Sequence, residues 1–179
     1  MELRTDRLRL REFSLEDEAR LLPFTQKPEQ LRYMLFSLAN ADEVASFLAY
    51  AIRQIDAKPR LEYHLVMEDA ADSSFVGSVA LMIEPDAPSS AELGYWLHES
   101  RWGKGYAAEA SRGIIDYGFD ELGLHRIWGK CHVDNAGSAR VMEKCGMTLE
   151  GTIREHVWLR DHFRSSFLYS ILNGERDGR

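Results

Sequence analysis

The sequence predicts one mixed α/β domain over residues 1–179, built on a mainly antiparallel sheet of about seven strands flanked by about four helices. A chain of 179 residues is long enough for a sizeable hydrophobic core and short for two domains. Segments with strand and helix periodicity follow one another in the order β α α β β β α β α β β. Near the middle, a β-loop-α-β unit indicates one parallel strand pair.

The first third of the chain supplies a strand and two helices. Arginine and leucine alternate over Arg7–Arg11, which predicts a strand. Ser14, followed three residues later by Asp17, is typical of a helix start, and that helix is predicted to run to about Pro23–Gln26. The apolar stretch Leu31–Leu38 either packs in the core or forms a flap over a small-molecule site. A second helix follows, because apolar residues recur at helical spacing: Val44, Phe47, Leu48, Ala51, Ile52 and Ile55.

The later elements are predicted from alternation and from turn residues. Three strands come first, at Leu61–Met67, Phe75–Ile83 and Glu92–His98, separated by a turn at residues 69–73 and a loop at residues 85–88. Two helices follow, at Gly105–Leu122 and Asn135–Cys145, with Gly123 and Gly146 as their stop residues. The remaining strands are Leu124–Val133, Met147–Leu159 and Phe163–Leu172, and the tail Asn173–Arg179 is predicted to fray.

Composition and charge restrict the class of protein. A net charge of −7 disfavours nucleic-acid backbone and suits a cationic or amine-bearing partner. Cys131 and Cys145 lie in apolar segments, which predicts two buried free thiols. The six histidines lack ligand spacing, so no metal site is expected, and no G-x-S-x-G elbow is present. Without a signal-like start or a membrane-length apolar run, the chain is expected to be cytoplasmic.

The sharpest local signal is a glycine loop, Trp102–Ala107, between a strand and a helix. Glycines at 103 and 105 let successive backbone N–H groups face one anion, and the helix N-terminus adds partial positive charge. A Walker A loop would need Gly-Lys-Ser/Thr, which is absent. A dinucleotide fingerprint would need glycines directly after the strand and an acid ending the next strand, and neither is found. The glycine pair alone is therefore consistent with an ordinary turn as well as with a phosphate site of another kind.

Two motifs in order carry a resemblance to the GNAT superfamily of N-acetyltransferases, closest to its RimJ/RimL-like branch. Trp102-x-x-Gly105-x-Ala107 resembles motif A, Q/R-x-x-G-x-G/A, with Trp in the first position as is usual in that branch. The segment 135–147 resembles the family's N-x-x-S-x-x-v-x-e-K-x-G-f. The first strand, the strand before motif A and the last strand also match. In the final hairpin, Asp161 and Ser165 replace the usual Gly and Asp, next to the family's acceptor pocket.

The resemblance implies a splay between two central parallel strands, where coenzyme A enters, and direct transfer of acetyl from acetyl-CoA to a primary amine. It implies that the glycine loop holds the coenzyme, through Trp102, Gly103, Lys104, Gly105, Tyr106 and Ala107, together with Leu97, His98, Asn135 and Ser138. Amine acetylation needs a base, an oxyanion donor and a donor for the thiolate. Glu92 is the expected base, main-chain N–H at Leu97 or His98 the oxyanion donor, and Ser138 the thiolate donor.

Several alternatives stay open on the sequence. The acceptor could be a protein N-terminus, a polyamine, an aminoglycoside or another small amine, and the protein a monomer or homodimer. A non-catalytic acyl-CoA sensor on the same fold is the other functional class, and the presence of Glu92 argues against it.

Overall fold

An eight-stranded sheet organises the chain, of which the structure, a computed structural model, describes residues 1–23, 32–34 and 38–178. Its strands are β1 (Glu2–Arg4), β2 (Leu8–Glu12), β3 (Glu62–Asp69), β4 (Phe75–Glu84), β5 (Ala87–Leu97), β6 (Arg126–His132), β7 (Thr148–Leu159) and β8 (His162–Leu172). They lie in the order β1-β2-β3-β4-β5-β6-β8-β7. Only the central pair β5–β6 is parallel, which confirms the predicted mixed, mainly antiparallel fold.

Helices cover both faces of the sheet. The described α-helices are α1 (Glu18–Leu21), α2 (Ala41–Ile55), α3 (Tyr106–Asp120) and α4 (Ala136–Lys144), and short 3₁₀ helices span Leu15–Asp17, Glu99–Arg101 and Asn173–Gly178. Helix α3 packs on β4 and β5, and α2 packs on β3. Two hydrophobic cores result, one on each face. Within the described residues, no helix combines the length and the apolar character needed to cross a membrane.

Local sequence explains where the helices begin and end. Asn40 caps α2 by accepting a hydrogen bond from the N–H of Glu43 at 2.9 Å, and Asn135 caps α4 in the same way. The apolar stripe predicted for α2 is buried at Val44, Leu48 and Ala51. Gly123 follows α3 with φ +64°, the left-handed conformation that ends many helices.

The structure differs from the sequence-based predictions at several boundaries of helices and strands. Strand β1 was not predicted, because three partly polar residues carry too little periodicity. Strand β5 begins at Ala87 rather than Glu92, since residues 85–86 form a tight turn and Ala87 already pairs with Glu84. The tail is a 3₁₀ helix rather than frayed, held by an Arg176–Asp120 ion pair of 2.6 Å. The first predicted helix is a 3₁₀ turn followed by α1. Its expected end beyond Pro23, and Leu31 and residues 35–37 of the apolar stretch, lie outside the described residues.

A buried ionic network joins the first strands to α1. The carboxylate of Asp17 is fully buried and accepts hydrogen bonds from the Arg11 guanidinium at 2.6 and 2.8 Å. Glu68, 2% exposed, accepts from Arg11 at 2.7 Å and from Arg20 at 2.5 Å. Burial alone would raise the pKa of both carboxyls, but the arginine hydrogen bonds outweigh it and the pKa of each is lowered.

Replacing Arg11 by Met should therefore lower the free energy of unfolding at pH 7 by about 3 kcal/mol, because buried carboxylates lose their partner. A carboxyl with a lowered folded pKa stabilises the protein above its unfolded pKa of about 4, and that contribution is lost as the pH falls through the folded value. The difference between wild type and Arg11→Met should shrink at pH 3. Urea unfolding at both pH values measures this difference.

Arg9→Met, which removes a side chain 41% exposed and mainly paired with Glu2, is the control and should lower the free energy of unfolding by less than about 1 kcal/mol. Equal losses in the two variants at pH 7 would contradict the network.

Candidate active site

The two central parallel strands separate within the sheet. Pairing between β5 and β6 runs from Ser90 opposite Arg126 to Glu92 opposite Trp128 and ends there, although β5 continues to Leu97 and β6 to His132. The opening is the splay that the family resemblance implies. It leaves one edge of each strand without a strand partner, and such an edge can hydrogen-bond a ligand.

The backbone of β5 presents alternate groups to the splay. The N–H of His98 donates to the carbonyl of Val76 at 2.9 Å and is engaged with β4. Because hydrogen-bonding directions alternate along a strand, the N–H groups of Tyr95 and Leu97 point to the splay side. Of the two oxyanion donors predicted, Leu97 has the suitable orientation. Its carbonyl accepts a hydrogen bond from the indole of Trp102 at 3.1 Å, which ties the glycine loop to the strand.

Two glycines of the glycine loop have left-handed backbone conformations. Gly103 and Gly105 have φ of +72° and +85°, values that L-residues rarely adopt, and α3 begins directly after Gly105. The first N–H groups of a helix have no intrahelical acceptor and carry the positive end of the helix dipole. The loop and the first turn of α3 can therefore receive an anion through main-chain donors.

Contacts from the connection between β1 and β2 hold the loop in place, and the sequence did not predict them. Glu109 of α3 accepts hydrogen bonds from the Thr5 hydroxyl at 2.6 Å, from the backbone N–H of Arg7 at 2.7 Å and from its guanidinium at 2.7 Å. Arg7 in turn donates to the carbonyl of Lys104 at 3.1 Å and lies over the ring of Tyr106. The loop conformation thus depends on contacts about a hundred residues apart in sequence.

A second anchor lies on the other side of the loop. The carboxylate of Asp69 accepts from the hydroxyl of Tyr106 at 2.9 Å and pairs with Arg101 at 3.2 Å. Tyr106, predicted as a coenzyme-binding residue, therefore has a supporting contact through its side chain.

Asn135 and Ser138 meet at the start of α4, on the far side of the splay. The side chain of Asn135 accepts from the N–H of Ser138 at 3.1 Å. The hydroxyl of Ser138 is 2.7 Å from that of Tyr95, which also donates to the Ser138 carbonyl at 3.0 Å. Burial raises the pKa of Tyr95, so its phenol is protonated at neutral pH. This pair connects β5 to α4 across the splay, and Tyr95 is a site residue whose role the sequence did not reveal.

Glu92 occupies the last paired position of β5, where the splay begins. Its side chain is 31% exposed, and its Oε1 lies 3.6 Å from Nζ of Lys130. Burial raises the pKa of Glu92, while the charge of Lys130 opposes the shift. A carboxylate whose proton affinity is increased in this way is a better general base.

A cavity of about 1460 Å³ connects these groups. Most of the residues predicted from the sequence line it: Glu92, Leu97, Trp102, Gly103, Gly105, Ala107, Asn135 and Ser138. His98, Lys104 and Tyr106 do not. Tyr33 and Met34, from the apolar stretch, also line the cavity, whereas Leu38 is fully buried in the core on the α2 face.

One wall of the cavity beyond Glu92 is formed by α2, β3 and β4. Glu62, Met82 and Glu92 are paired across β3, β4 and β5, so they share one face, with the two acids about 10 Å apart in backbone. The carboxylate of Glu62 accepts from the Tyr50 hydroxyl at 2.5 Å and contacts His64 Nε2 at 2.6 Å. The His64 hydrogen bond lowers the pKa of Glu62 against the effect of burial. As the pH falls, Glu92 therefore takes up a proton before Glu62 does, and Glu62 stays anionic.

The opposite wall comes from the β7–β8 hairpin, whose residues His156, Val157, Arg164 and Ser166 line the cavity. His156 Nε2 lies 2.9 Å from the Ser166 hydroxyl. Cys131, on β6, also lines the cavity, and both cysteines are buried and free as predicted. Among residues 1–23, 32–34 and 38–178, no three His, Cys, Asp or Glu side chains are grouped so as to hold a metal ion.

Comparison with known proteins agrees with this geometry. The family of acetyltransferase (GNAT) domains matches residues 7–148. The probable N-acetyltransferase YjcK of Bacillus subtilis (strain 168) is 36% identical over 143 residues, which span 77% of this chain and 79% of that protein. The ribosomal-protein-serine acetyltransferase of Escherichia coli (strain K12) is 36% identical over 88 residues, 49% of each chain.

A solved structure shows the same fold. It is that of spermidine N-acetyltransferase from Vibrio cholerae in complex with CoA and spermine, with a TM-score of 0.80 and 23% identity, covering 95% of this chain and 98% of that one. The chain therefore belongs to the GNAT family of acetyl-CoA-dependent acetyltransferases, and its relatives include ribosomal-protein acetyltransferases of the RimJ/RimL-like kind.

Proposed function

We propose that this protein transfers the acetyl group of acetyl-CoA directly to a primary amine, with Glu92 as the general base. The observation that carries the proposal is the position of Glu92. This carboxylate, whose pKa is raised by burial, lies where the splay opens, in the same cavity as the glycine loop and Ser138. A group that must remove a proton from an ammonium works best with a pKa moved toward neutrality.

The coenzyme is held by backbone more than by side chains. The N–H groups of residues 103–107 bind the pyrophosphate, since two glycines with positive φ and the start of α3 direct donors to one place. Lys104 adds a charge outside the cavity lining. The pantetheine arm passes between β5 and β6 and brings the thioester between Glu92 and Ser138.

The chemical steps then involve three groups of this chain. Glu92 accepts a proton from the ammonium, directly or through water, and the neutral amine forms its bond to the thioester carbonyl carbon. The N–H of Leu97 stabilises the oxyanion. When the carbon–sulfur bond breaks, Ser138 passes its hydroxyl proton to the thiolate and takes up the proton that the new amide nitrogen loses. The Tyr95 phenol, which donates to the Ser138 carbonyl and whose pKa burial raises, holds Ser138 in place.

The family relationship indicates an amine as the acceptor but does not identify the amine. One relative is named for ribosomal-protein-serine acetylation, and one structural neighbour for spermidine acetylation. Both acceptors are amines, which agrees with a cavity in which two carboxylates, Glu62 and Glu92, share one face. We infer an amine acceptor, either a protein N-terminus or a small molecule.

Gly105→Val should weaken acetyl-CoA binding about tenfold or more, a loss of ~1.4 kcal/mol or greater. A branched side chain strains the backbone at φ +85°, and its Cβ would lie 3.4 Å from Arg7 Nη2. Lys104→Ala is the matched control and should change the Kd less than about threefold, because a solvated charge contributes little. Titration calorimetry measures both, with the melting temperature of each unliganded variant checked first. Equal affinities would contradict the main-chain cradle.

Ser138→Ala should lower kcat about 100-fold, a typical contribution of proton transfer, while acetyl-CoA affinity stays near that of wild type. The thiolate exists only after acetyl transfer has begun, so the lost interaction belongs to the transition state. Tyr95→Phe and the double variant should lose no more than Ser138→Ala if the two hydroxyls act as a unit. Additive losses, or a loss of coenzyme binding, would instead indicate separate or structural roles.

Glu92→Gln tests the proposed function itself. In wild type, kcat/KM for an amine found by free-thiol release should rise with pH through an ionisation above the ordinary Glu value of about 4.3. Glu92→Gln should lower kcat/KM about 100-fold and remove that ionisation. Lys130→Met should keep it but move it to higher pH, because the Lys130 charge lowers the pKa of Glu92. A Glu92→Gln enzyme with the wild-type profile would exclude Glu92 as base. If the protein binds acetyl-CoA but releases no free thiol with any amine, the alternative function, a non-catalytic acyl-CoA sensor, would be favoured.

A further inference from the structure

Arg164 on β8 is a buried cation that has no anionic partner among the described residues. The residue is 8% exposed, and no Asp or Glu of these residues lies within ion-pair distance of it. Its Nη1 donates to the carbonyl of Arg32 at 3.0 Å, and its buried Nε has no hydrogen-bond partner in the part of the chain that the structure describes. A buried charge left unpaired is costly, and proteins normally pair or hydrogen-bond such groups fully.

The hydrogen bond from Arg164 to the Arg32 carbonyl does not explain why a guanidinium is buried here. The carbonyl of Arg32 also accepts from Nη1 of Arg160, at 2.7 Å, so it has a donor without Arg164. A neutral side chain of similar volume would fill the same space without the cost of desolvating a guanidinium. A buried guanidinium with an unsatisfied Nε is instead typical of a group that binds an anionic ligand.

The position of Arg164 is at the acceptor end of the cavity. Arg164 and Ser166 both line the cavity, and Ser166 pairs with His132 on β6. Lys130, the partner of Glu92, lies two residues before His132 on the same face of β6. Arg164 is therefore on the face where Glu92 receives the amine, and away from the glycine loop.

The surroundings of Arg164 are positive. Burial lowers the pKa of His132, the carboxylate of Asp134 opposes this, and the charges of Arg164, His162 and Arg32 lower the pKa further. This part of the cavity favours an anion, whereas the wall with Glu62 and Glu92 favours a cation.

We propose that Arg164 binds an anionic group of the acceptor, so that the substrate is a small amine that also carries a carboxylate or a phosphate. This inference rests on the proposed function and specifies its acceptor. The amine is directed to Glu92 and the anion to Arg164, through the planar donor geometry that suits both carboxylate and phosphate. An acceptor with a second cation in place of the anion would meet repulsion at Arg164.

The test compares matched acceptors. Glycine, β-alanine, 4-aminobutyrate and 5-aminopentanoate are each assayed against their primary amides, and aminoalkyl phosphates of equal length form a third series. With wild type, kcat/KM for the best anionic member should exceed that of its amide about tenfold, mainly through KM. Whichever of the carboxylate and phosphate series has the higher kcat/KM identifies the anion.

Arg164→Gln should bring the ratio of anionic to amide kcat/KM to about one, and Arg164→Lys should retain part of it. Arg160→Gln, which removes the other donor to the Arg32 carbonyl, is the control and should keep the wild-type ratio. A wild-type ratio near one, or an unchanged ratio in Arg164→Gln, would overturn the proposal.

Two measurements separate this proposal from the proposed function and from a structural role. Calorimetric titration of the best anionic amine into wild type and Arg164→Gln saturated with CoA measures binding without turnover. Binding to wild type alone supports the anion site even if no acetylation occurs, and equal binding contradicts it. The melting temperature of unliganded Arg164→Gln should equal or exceed that of wild type, because a buried unpaired charge is removed. A lower value would indicate that Arg164 stabilises the fold.

Discussion

The separation of β5 from β6 after Glu92 is the constraint on which the site depends. A sheet that stayed paired to Leu97 would have no opening between β5 and β6 and no unpaired N–H at the reaction centre that we propose. Both sides of the opening are held by other contacts: β5 by its full ladder with β4, and β6 by its ladder with β8. The Tyr95–Ser138 pair then sets the relation of β5 to α4 across the gap. Strand geometry thus provides the pocket, and side chains provide its chemistry.

The charged side chains that support the fold differ in their partners from those at the proposed site. Carboxylates that support the fold or the glycine loop, such as Glu68 and Glu109, have several arginine or backbone donors, and the pKa of each is lowered. At the proposed reaction site, the ion-pair partner of Glu92 among the described residues is Lys130 at 3.6 Å, and burial raises the pKa of Glu92. No Asp or Glu of the described residues lies within ion-pair distance of Arg164. The charged groups that support the fold have hydrogen-bond or ion-pair partners within the protein. The charged groups that we assign to substrate binding have fewer partners than they could accommodate. Such groups are where a ligand gains most from binding.

The sequence predicted those parts of the molecule that local geometry encodes. The glycine loop before α3 and the glycines that end helices, such as Gly123, follow from short motifs, because the required backbone conformation depends on neighbouring residues. Glu109 with Arg7, Tyr95 with Ser138, and Glu62 with His64 and Tyr50 were not predicted, since strand register and helix packing bring them together from distant positions. Arg164 belongs to no motif, and the role that we propose for it rests on its burial and on the lack of a carboxylate beside it among the described residues, neither of which the sequence shows. The three-residue β1 was missed because it is too short to show a period.

The open edges of β5 and β6 have a consequence for the unliganded protein. Unpaired backbone groups at a strand edge can pair with another extended chain. In the function that we propose, coenzyme in the splay would occupy these groups and, by binding only the folded state, would also shift the folding equilibrium. We therefore expect protein prepared without coenzyme to self-associate more readily on heating or storage than the same protein with coenzyme bound.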